Sequence, residues 1–176
     1  LSHGKIHLGY SGFAGELGHV CVEDGGRPCN CGLRGCLERY VAASGVVETA
    51  RELMAGSDKP SMMRSVGQLT PKIITQCCDE GDEMAIEVYR RTGYYLGIGL
   101  ANFATLVNPQ AIIITGGVSR AGKWLMGPAK ESFDSHVFHN IRGKVSLIIS
   151  TLDNRERDIL GASVMAWEVE EYSLFK

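Results

Sequence analysis

The sequence predicts an α/β fold with a parallel sheet, and three features of its second half carry the prediction. Residues 111–115 read AIIIT, a β-branched run typical of a strand that is buried on both faces. A glycine turn, GGVSRAG, follows this run at once. Beyond the turn, the pattern predicts a helix over 123–138, a strand over 144–150 and a helix over 155–172. Strands that alternate with helices are typical of parallel sheets.

The first part of the chain is predicted to hold two short strands and a loop. Residues 4–10 (GKIHLGY) alternate as a strand does, and residues 19–22 (HVCV) alternate in the same way. Residues 25–36 (GGRPCNCGLRGC) show no hydrophobic period and are interrupted by glycine and proline. We therefore expect this last stretch to be an irregular loop.

Two helices are predicted to follow the loop. Residues 37–56 form an amphipathic pattern that we expect to break near residues 44–45 and to end at Gly56. Thr70 followed by Pro71 marks a second helix start, because threonine caps the first turn and proline needs no hydrogen-bond partner there.

The longest helix is predicted over residues 83–106, with Asp82 as its cap. Its apolar residues recur at steps of three or four, as they do on a buried helix face. Three glycines, Gly93, Gly97 and Gly99, lie inside it, and each costs a helix roughly 1 kcal/mol relative to alanine. We expect another backbone or a ligand to approach closely at these glycines.

Composition and charge exclude several classes of protein. The net charge of −2 over 176 residues offers no basic surface for nucleic acid. No apolar run approaches the ~18 residues that a membrane span requires. No secretory signal is visible, so the six cysteines are expected to be reduced, as in the cytoplasm. Of these, Cys77 and Cys78 are expected to fill the core as small apolar residues.

The loop carries a set of side chains that predicts a structural zinc site. Cys29, Cys31 and Cys36 follow a C-x-C-x4-C pattern, and His19 precedes them. Three thiolates and one imidazole complete the tetrahedron of a structural zinc ion and leave no position open for water. Cys21 is a competing ligand that we rank lower, because it alternates with its valine neighbours. Packing of the cysteines as free thiols is the alternative to a metal site.

Two carboxylates, Glu16 and Glu38, flank this loop. Carboxylates accept hydrogen bonds from adjacent hydroxyls in a fixed geometry, so the pair can bind a sugar. A ligand histidine can also face a pocket with its second ring nitrogen. The alternative for Glu38 is a solvated carboxylate that is favoured by the dipole at a helix start.

The sequence resembles the ROK family of bacterial sugar kinases and repressors. The resemblance lies in GYSGFAGELGHV at 9–20, CNCGLRGCLERYVA at 29–42, NPQAIIITGGVS at 108–119 and LGASVMAW at 160–167. It covers essentially the whole chain, and the loop cysteines joined to AGELGH are its most specific part.

The resemblance implies an actin-like, ribonuclease-H-like ATPase fold with sugar and ATP in a cleft between two lobes. It implies that Glu16, His19 and Glu38 contact the sugar and that His19 also binds zinc. Gly116 and Gly117 would border the nucleotide, where a glycine turn lets the backbone approach closely. Mg²⁺ would accompany the phosphates.

A kinase of this family also needs a phosphate loop and a catalytic aspartate from an N-terminal lobe, and neither matches this sequence. Asp79, Asp82 and Asp153 stand in unrelated contexts. We therefore expect residues 1–176 to be a C-terminal lobe, truncated at its N-terminus, with a zinc knuckle at 19–36. We assign no catalytic residue to this chain and expect it to be inactive alone, because phosphoryl transfer depends on several elements together.

Three functions follow from these features. The first is the sugar-binding and nucleotide-facing lobe of an ATP-dependent hexose kinase of the glucokinase type, which transfers phosphate to a sugar hydroxyl. The second is a sugar-responsive transcriptional repressor whose DNA-binding module lies outside this chain. The third is a zinc-stabilised scaffold. We also expect a homo-oligomer, because a separate lobe exposes apolar surface.

Overall fold

A computed structural model describes residues 6–152 and 154–167 of the chain. Its helices and strands are α1 (Glu38–Val41), α2 (Ala43–Ala55), α3 (Pro71–Asp79), α4 (Glu83–Val107), β1 (Ala111–Ile114), α5 (Lys123–His136), β2 (Ser146–Ile149) and α6 (Asn154–Trp167). Short 3₁₀ turns at Leu17–His19, Met62–Ser65, Val118–Ala121 and His139–Ile141 connect them.

The two strands form a parallel sheet, which confirms the α/β prediction. Ala111 lies opposite Ser146 and Ile114 lies opposite Ile149. The crossover between the strands runs through α5. Parallel neighbours require such a crossover, because the chain must return to the end of the sheet at which it started.

The expectation that β1 is buried on both faces is wrong for the described structure. Ile112 and Ile114 pack against the core, but Ile113 is 66% exposed. On β2, Ile148 is 46% exposed while Leu147 packs inward. The core covers one face of the sheet, so the continuous apolar run presents every second side chain to solvent.

The strand predicted at residues 4–10 does not form where the structure describes it, and residues 4 and 5 lie outside the described part. Residues 6–9 have no strand partner, and the carbonyl of Leu8 accepts a hydrogen bond from the backbone of Ala14 at 3.0 Å. An alternating pattern becomes a strand only beside another strand. Here the adjoining chain is a turn.

The strand predicted at 19–22 is also wrong. Leu17–His19 is a 3₁₀ turn, and Cys21 makes only an isolated antiparallel bridge to Cys36. The last helix, predicted over 155–172, is confirmed as far as Trp167, and the remainder lies outside the described residues.

The break in the predicted helix 37–56 falls at Ala42, two residues before its expected place. Ala42 has an extended backbone, with φ −69° and ψ 164°, and it separates α1 from α2. Gly45 lies within α2, and a Cβ atom there would lie only 2.5 Å from the carbonyl oxygen of Arg39. The break therefore folds α1 tightly against the start of α2, and the helix ends before Gly56 as expected.

Both predicted caps are confirmed. The side chain of Thr70 accepts from the backbone of Ile73, and Pro71 is the first residue of α3. The carboxylate of Asp82 accepts from the backbone of Met84 at 2.9 Å and starts α4. These contacts satisfy amide groups that have no partner within the helix.

The glycines of α4 provide the close approach that the sequence predicts. A Cβ at Gly93 would lie 2.8 Å from the carbonyl oxygen of Leu125, so α4 and α5 meet there backbone to backbone. Gly97 repeats this contact one turn later, and Gly99 makes room for the side chain of Leu37. All three glycines of α4 therefore make room for other parts of this chain, two for α5 and one for Leu37.

The core lies between α2, α3, α4 and α5. Its fully buried large side chains include Val46, Met63, Ile74, Val88, Tyr89, Leu125 and Phe133. Cys77 and Cys78 belong to it, as predicted, and burial raises the pKa of the Cys78 thiol to about 12. Among the described residues, no helix is long and apolar enough to cross a bilayer.

Replacing Gly97 by alanine is expected to destabilise the protein by about 1–3 kcal/mol. The added Cβ would lie 2.6 Å from both the Ala129 carbonyl oxygen and the Phe133 backbone nitrogen, and backbone cannot move aside as a flexible side chain can. Urea denaturation of both proteins measures the difference. Gly67→Ala is the control, since a Cβ at Gly67 would meet nothing within 4 Å. Equal stability of the two variants would contradict the close-packing explanation.

Candidate functional site

The four predicted zinc ligands lie together. The nearest ligand atoms of His19, Cys29, Cys31 and Cys36 all lie within 4.8 Å of one another. Cys29 Sγ is 3.7 Å from His19 Nδ1, and Cys31 Sγ is 3.6 Å from Cys36 Sγ. Cys21 is exposed and stands outside this group. The structure therefore groups His19, rather than Cys21, with the three cysteines, and their role as zinc ligands stays a prediction.

These separations suit a tetrahedral metal ion. A Zn–S bond of about 2.3 Å places two tetrahedral sulfur ligands about 3.8 Å apart. The 3.6 Å between Cys31 Sγ and Cys36 Sγ is close to that value. The cluster can therefore hold a metal ion with four protein ligands.

A tight loop brings the ligands together. Cys29 donates its backbone N–H to the carbonyl of Leu33 at 2.9 Å and accepts from Gly32 at 3.0 Å. Gly32 and Gly35 have φ of +90° and +75°, which L-amino acids with side chains rarely adopt. The loop folds back on itself here, so that Cys36 returns to the side of Cys29.

The pKa values of Cys29 and Cys31 shift in opposite directions. A backbone hydrogen bond from Leu33 lowers the pKa of Cys31. A backbone hydrogen bond from Cys31 favours the thiolate of Cys29, but the Glu38 carboxylate and burial outweigh it and raise the pKa of Cys29 to about 12. A bound cation would take the place of these protons, because thiolates are the metal-binding form.

Glu38 lies beside the cluster at the first position of α1. Its Oε1 atom accepts from Cys29 Sγ at 3.0 Å and lies 3.8 Å from His19 Nδ1. The side chains of His19 and Glu38 are 36% and 38% exposed. The two groups therefore face both the cluster and the solvent, where a polar ligand can reach them.

Glu16 lies one turn from His19 and is exposed. Its carbonyl accepts from the His19 backbone at 3.1 Å, within the 3₁₀ turn Leu17–His19. The Leu37 backbone donates to the Val20 carbonyl at 2.9 Å, which fastens this turn beside α1. The fold thus places the backbone of Glu16 and His19 in one turn beside α1, the helix that begins with Glu38.

Gly116 and Gly117 lie apart from this group along the chain, directly beyond the carboxyl end of β1. Gly116 has φ +105°, and a Cβ atom on either glycine would meet nothing within 4 Å. Ser119 donates to the Gly116 carbonyl at 2.7 Å and holds the turn. The backbone here borders open space, as a nucleotide-facing turn requires.

A groove of about 1020 Å³ lies elsewhere, between residues 57–62 and the start of α4, and shares no residue with the cluster. Two of the three acidic residues that line it, Asp82 and Glu87, have partners. Burial disfavours the ionised form of Asp82, but hydrogen bonds from Ser61 and three backbone amides outweigh this and lower its pKa. Glu87 pairs with Arg90 and Arg91. We assign no function to the groove, because these pairings occupy two of its carboxylates and the third, Glu83, is a single exposed side chain.

Sequence reasoning missed Arg27. This side chain contacts the carbonyls of Arg39 and Gly45 at the α1–α2 break. The available signal was an arginine, one of two in the loop with Arg34, followed further along the chain by carboxylates at Glu48 and Glu52, one helical turn apart. Nothing local in the sequence indicates that the loop folds onto those residues.

Comparison with known proteins places the chain among sugar kinases and repressors. The ROK family model matches residues 1–169. Glucokinase of Halalkalibacterium halodurans is 37% identical over 158 residues, which are 88% of this chain and 48% of that protein. The DNA-binding transcriptional dual regulator NagC of Escherichia coli strain K12 is 31% identical over 155 residues, 88% of this chain and 38% of NagC.

A solved structure shares the fold. A ROK family glucokinase from Streptomyces griseus, in complex with glucose and AMPPNP, superimposes with a TM-score of 0.75 at 27% identity. The match covers 91% of this chain and 54% of that one. The chain therefore has the α/β fold of ROK sugar kinases and spans about half the length of the glucokinases it matches.

Replacing Gly35 by alanine is expected to disrupt the cluster more than replacing Gly32. Both glycines have positive φ, so each substitution strains the backbone by about 1–3 kcal/mol. At Gly35 the new Cβ would also overlap the carbonyl of Glu23, whereas at Gly32 it would meet nothing within 4 Å. Thermal denaturation measures the difference. Equal losses of stability would mean that the contact with Glu23 contributes nothing.

Proposed function

Because the chain belongs to the ROK family, we propose that it forms the sugar-binding and nucleotide-facing half of an ATP-dependent hexose kinase of the glucokinase type. The carrying observation is the position of Glu38, which is partly exposed and 3.8 Å from His19 beside a cluster that can hold a metal ion. The identity with a curated glucokinase over 88% of the chain supports the same function.

The residues of this chain would bind and orient the sugar. Carboxylates at Glu16 and Glu38 would accept hydrogen bonds from its hydroxyls, and His19 would contact it from between them. Charge-assisted bonds of this kind are shorter and stronger than neutral ones, and they are directional. The hexose would thereby be held with one hydroxyl, the one on C6, directed toward the phosphoryl donor.

Zinc is the metal we propose for the cluster, held by His19, Cys29, Cys31 and Cys36. Bound there, it would supply a closed tetrahedral centre and no activated water. Its role would be to keep the loop in the shape that places His19 and Glu38. A reducing compartment such as the cytoplasm would keep the thiols free for the metal.

Gly116 and Gly117 would border the adenosine of ATP, with Mg²⁺ on its phosphates. The open space beyond both glycines supports this role. ATP would supply the phosphoryl group in the intact protein. We assign no general base to this chain, and we expect the chain alone, as the C-terminal lobe, to be inactive.

A sugar-responsive repressor is the second candidate. It is favoured by the 31% identity with NagC over 88% of the chain. In that case, sugar bound at the same residues would change the DNA affinity of an attached DNA-binding module. A kinase and a repressor differ in whether bound sugar is phosphorylated.

The chain is expected to contain one zinc ion, and removal of that ion is expected to lower the melting temperature. Structural zinc contributes folding free energy, because the ligands meet only in the folded state. Elemental analysis and thermal denaturation with and without a chelator measure both effects. Cys36→Ser is expected to lose the metal, while the control Cys21→Ser keeps it. The zinc proposal would be refuted if the purified protein contained no metal and its melting temperature were the same with and without the chelator.

The intact gene product is expected to phosphorylate a hexose with ATP, and Glu38→Gln is expected to lower kcat/KM about 10- to 100-fold. This range corresponds to loss of a hydrogen bond to a charged group, about 1.5–3 kcal/mol. A coupled assay over a panel of hexoses measures it. Glu131→Gln, on the exposed side of α5, is the control. Absence of turnover, together with sugar binding that changes DNA affinity, would favour the repressor.

A further inference from the structure

Arg27 lies in the loop between His19 and Cys29, and its side chain reaches from the loop to helices α1 and α2. We propose that Arg27 is a positioning residue that joins the loop to the α1–α2 break and thereby sets the place of Glu38. The inference deepens the proposed function, since it assigns a residue that prepares the sugar-binding carboxylate.

All five N–H donors of the Arg27 guanidinium have an acceptor, and the side chain is only 10% exposed. The acceptors are Glu52 Oε1 at 3.1 Å, the Arg39 carbonyl at 2.7 Å, the Gly45 carbonyl at 3.2 Å, Thr49 Oγ1 at 2.9 Å and Glu52 Oε2 at 2.5 Å. A carboxylate of Glu48 lies 3.9 Å away. A largely buried charge is tolerated when it is paired and fully hydrogen-bonded in this way.

The carbonyls of Arg39 and Gly45, which both accept from Arg27, lie on either side of the break between α1 and α2. The extended backbone of Ala42 interrupts the helix, so the carbonyl of Arg39 lies at a helix end. Helix ends leave carbonyl groups without partners. The guanidinium fork of Arg27 donates to one carbonyl on each side of the break: that of Arg39, at the end of α1, and that of Gly45, which also accepts from Thr49 Oγ1. These bonds join α1 to α2.

Tyr40 extends the same connection to α4. The backbone N–H of Arg27 donates to Tyr40 Oη at 2.9 Å, and the guanidinium carbon lies 4.8 Å from the centre of the Tyr40 ring. The Tyr40 ring lies 4.1 Å from that of Tyr95 in α4. Tyr95 in turn donates to Glu23 of the loop at 3.0 Å. The loop, α1 and α4 are therefore joined around Arg27.

Glu38 depends on this connection because α1 is too short to hold itself. Helices below ~12–15 residues are marginal in isolation, and α1 has four residues. Glu38 is the first of them, two residues after the metal-ligand candidate Cys36. The other end of α1 is held by Arg27, by the ion pair of Arg39 with Glu48 at 2.7 Å and by the buried ring of Tyr40. Arg27 also contacts Glu48 and the Tyr40 ring, so we expect its loss to loosen this end of α1 and to let the Glu38 carboxylate shift relative to His19.

The test compares Arg27→Gln and Arg27→Lys in the intact protein with two readouts. Hydrogen exchange read by mass spectrometry is expected to accelerate at least tenfold over residues 36–45 in Arg27→Gln, with α5 unchanged. The KM for hexose is expected to rise at least tenfold, while kcat and the KM for ATP stay within twofold. Lysine keeps the charge but presents three donors on one atom, so Arg27→Lys is expected to restore stability in part without restoring the hexose KM.

Two controls separate positioning from general destabilisation. Arg91→Gln removes an exposed ion pair with Glu87 and is expected to change neither readout. Ile74→Val loosens the buried core and is expected to lower the melting temperature without raising the hexose KM. If Arg27→Gln does not fold, hydrogen exchange over residues 36–45 and the hexose KM are both measured on Arg27→Lys.

Unchanged exchange over 36–45 would overturn the proposal, and so would faster exchange with an unchanged hexose KM. If the wild-type protein neither binds nor phosphorylates any hexose, the proposed function fails. In that outcome the exchange measurement still decides whether Arg27 fixes α1, since it needs no ligand.

Discussion

The backbone contact between α4 and α5 is the constraint on which the rest of the structure depends. Gly93 and Gly97 lack the side chains that would hold the two helices apart, so Leu125 and Ala129 of α5 approach the α4 backbone directly. This pair carries the crossover that makes β1 and β2 parallel. Elsewhere α4 packs against α1, α2 and α3, and the first two of these contact the loop that carries the cysteines.

The helical core around α4 and α5 and the loop that carries the cysteines are stabilised by different interactions. Around α4 and α5, apolar burial is the main favourable term, as in most domains. The loop that carries the cysteines has little apolar content, so burial cannot hold it in shape. The hydrogen bonds of Arg27 hold one side of this loop, and on the other side lie the four side chains that could hold a metal ion. Both devices act on α1, the short helix that begins with Glu38.

Features that depend on residues nearby in the sequence were predicted correctly, whereas features that depend on contacts with distant parts of the chain were not. The caps at Thr70 and Asp82 were correct because a cap depends on residues two or three positions away. The first strand was wrong because strands need partners, and an alternating pattern does not show whether one exists. Burial of Ile113 was wrong for a related reason, since a β-branched run does not show how many faces of the sheet are covered.

By itself the sequence determined the α/β class, the helix starts, the need for close packing at the α4 glycines and the set of metal-ligand candidates. Each of these follows from residue types at short spacing, where backbone chemistry leaves few alternatives. Only the tertiary structure decided where the helix breaks, that Glu38 lies beside His19 and that Arg27 joins the loop to both helices. Those contacts join residues 12 to 25 positions apart, and they exist only when the whole loop folds onto the helices.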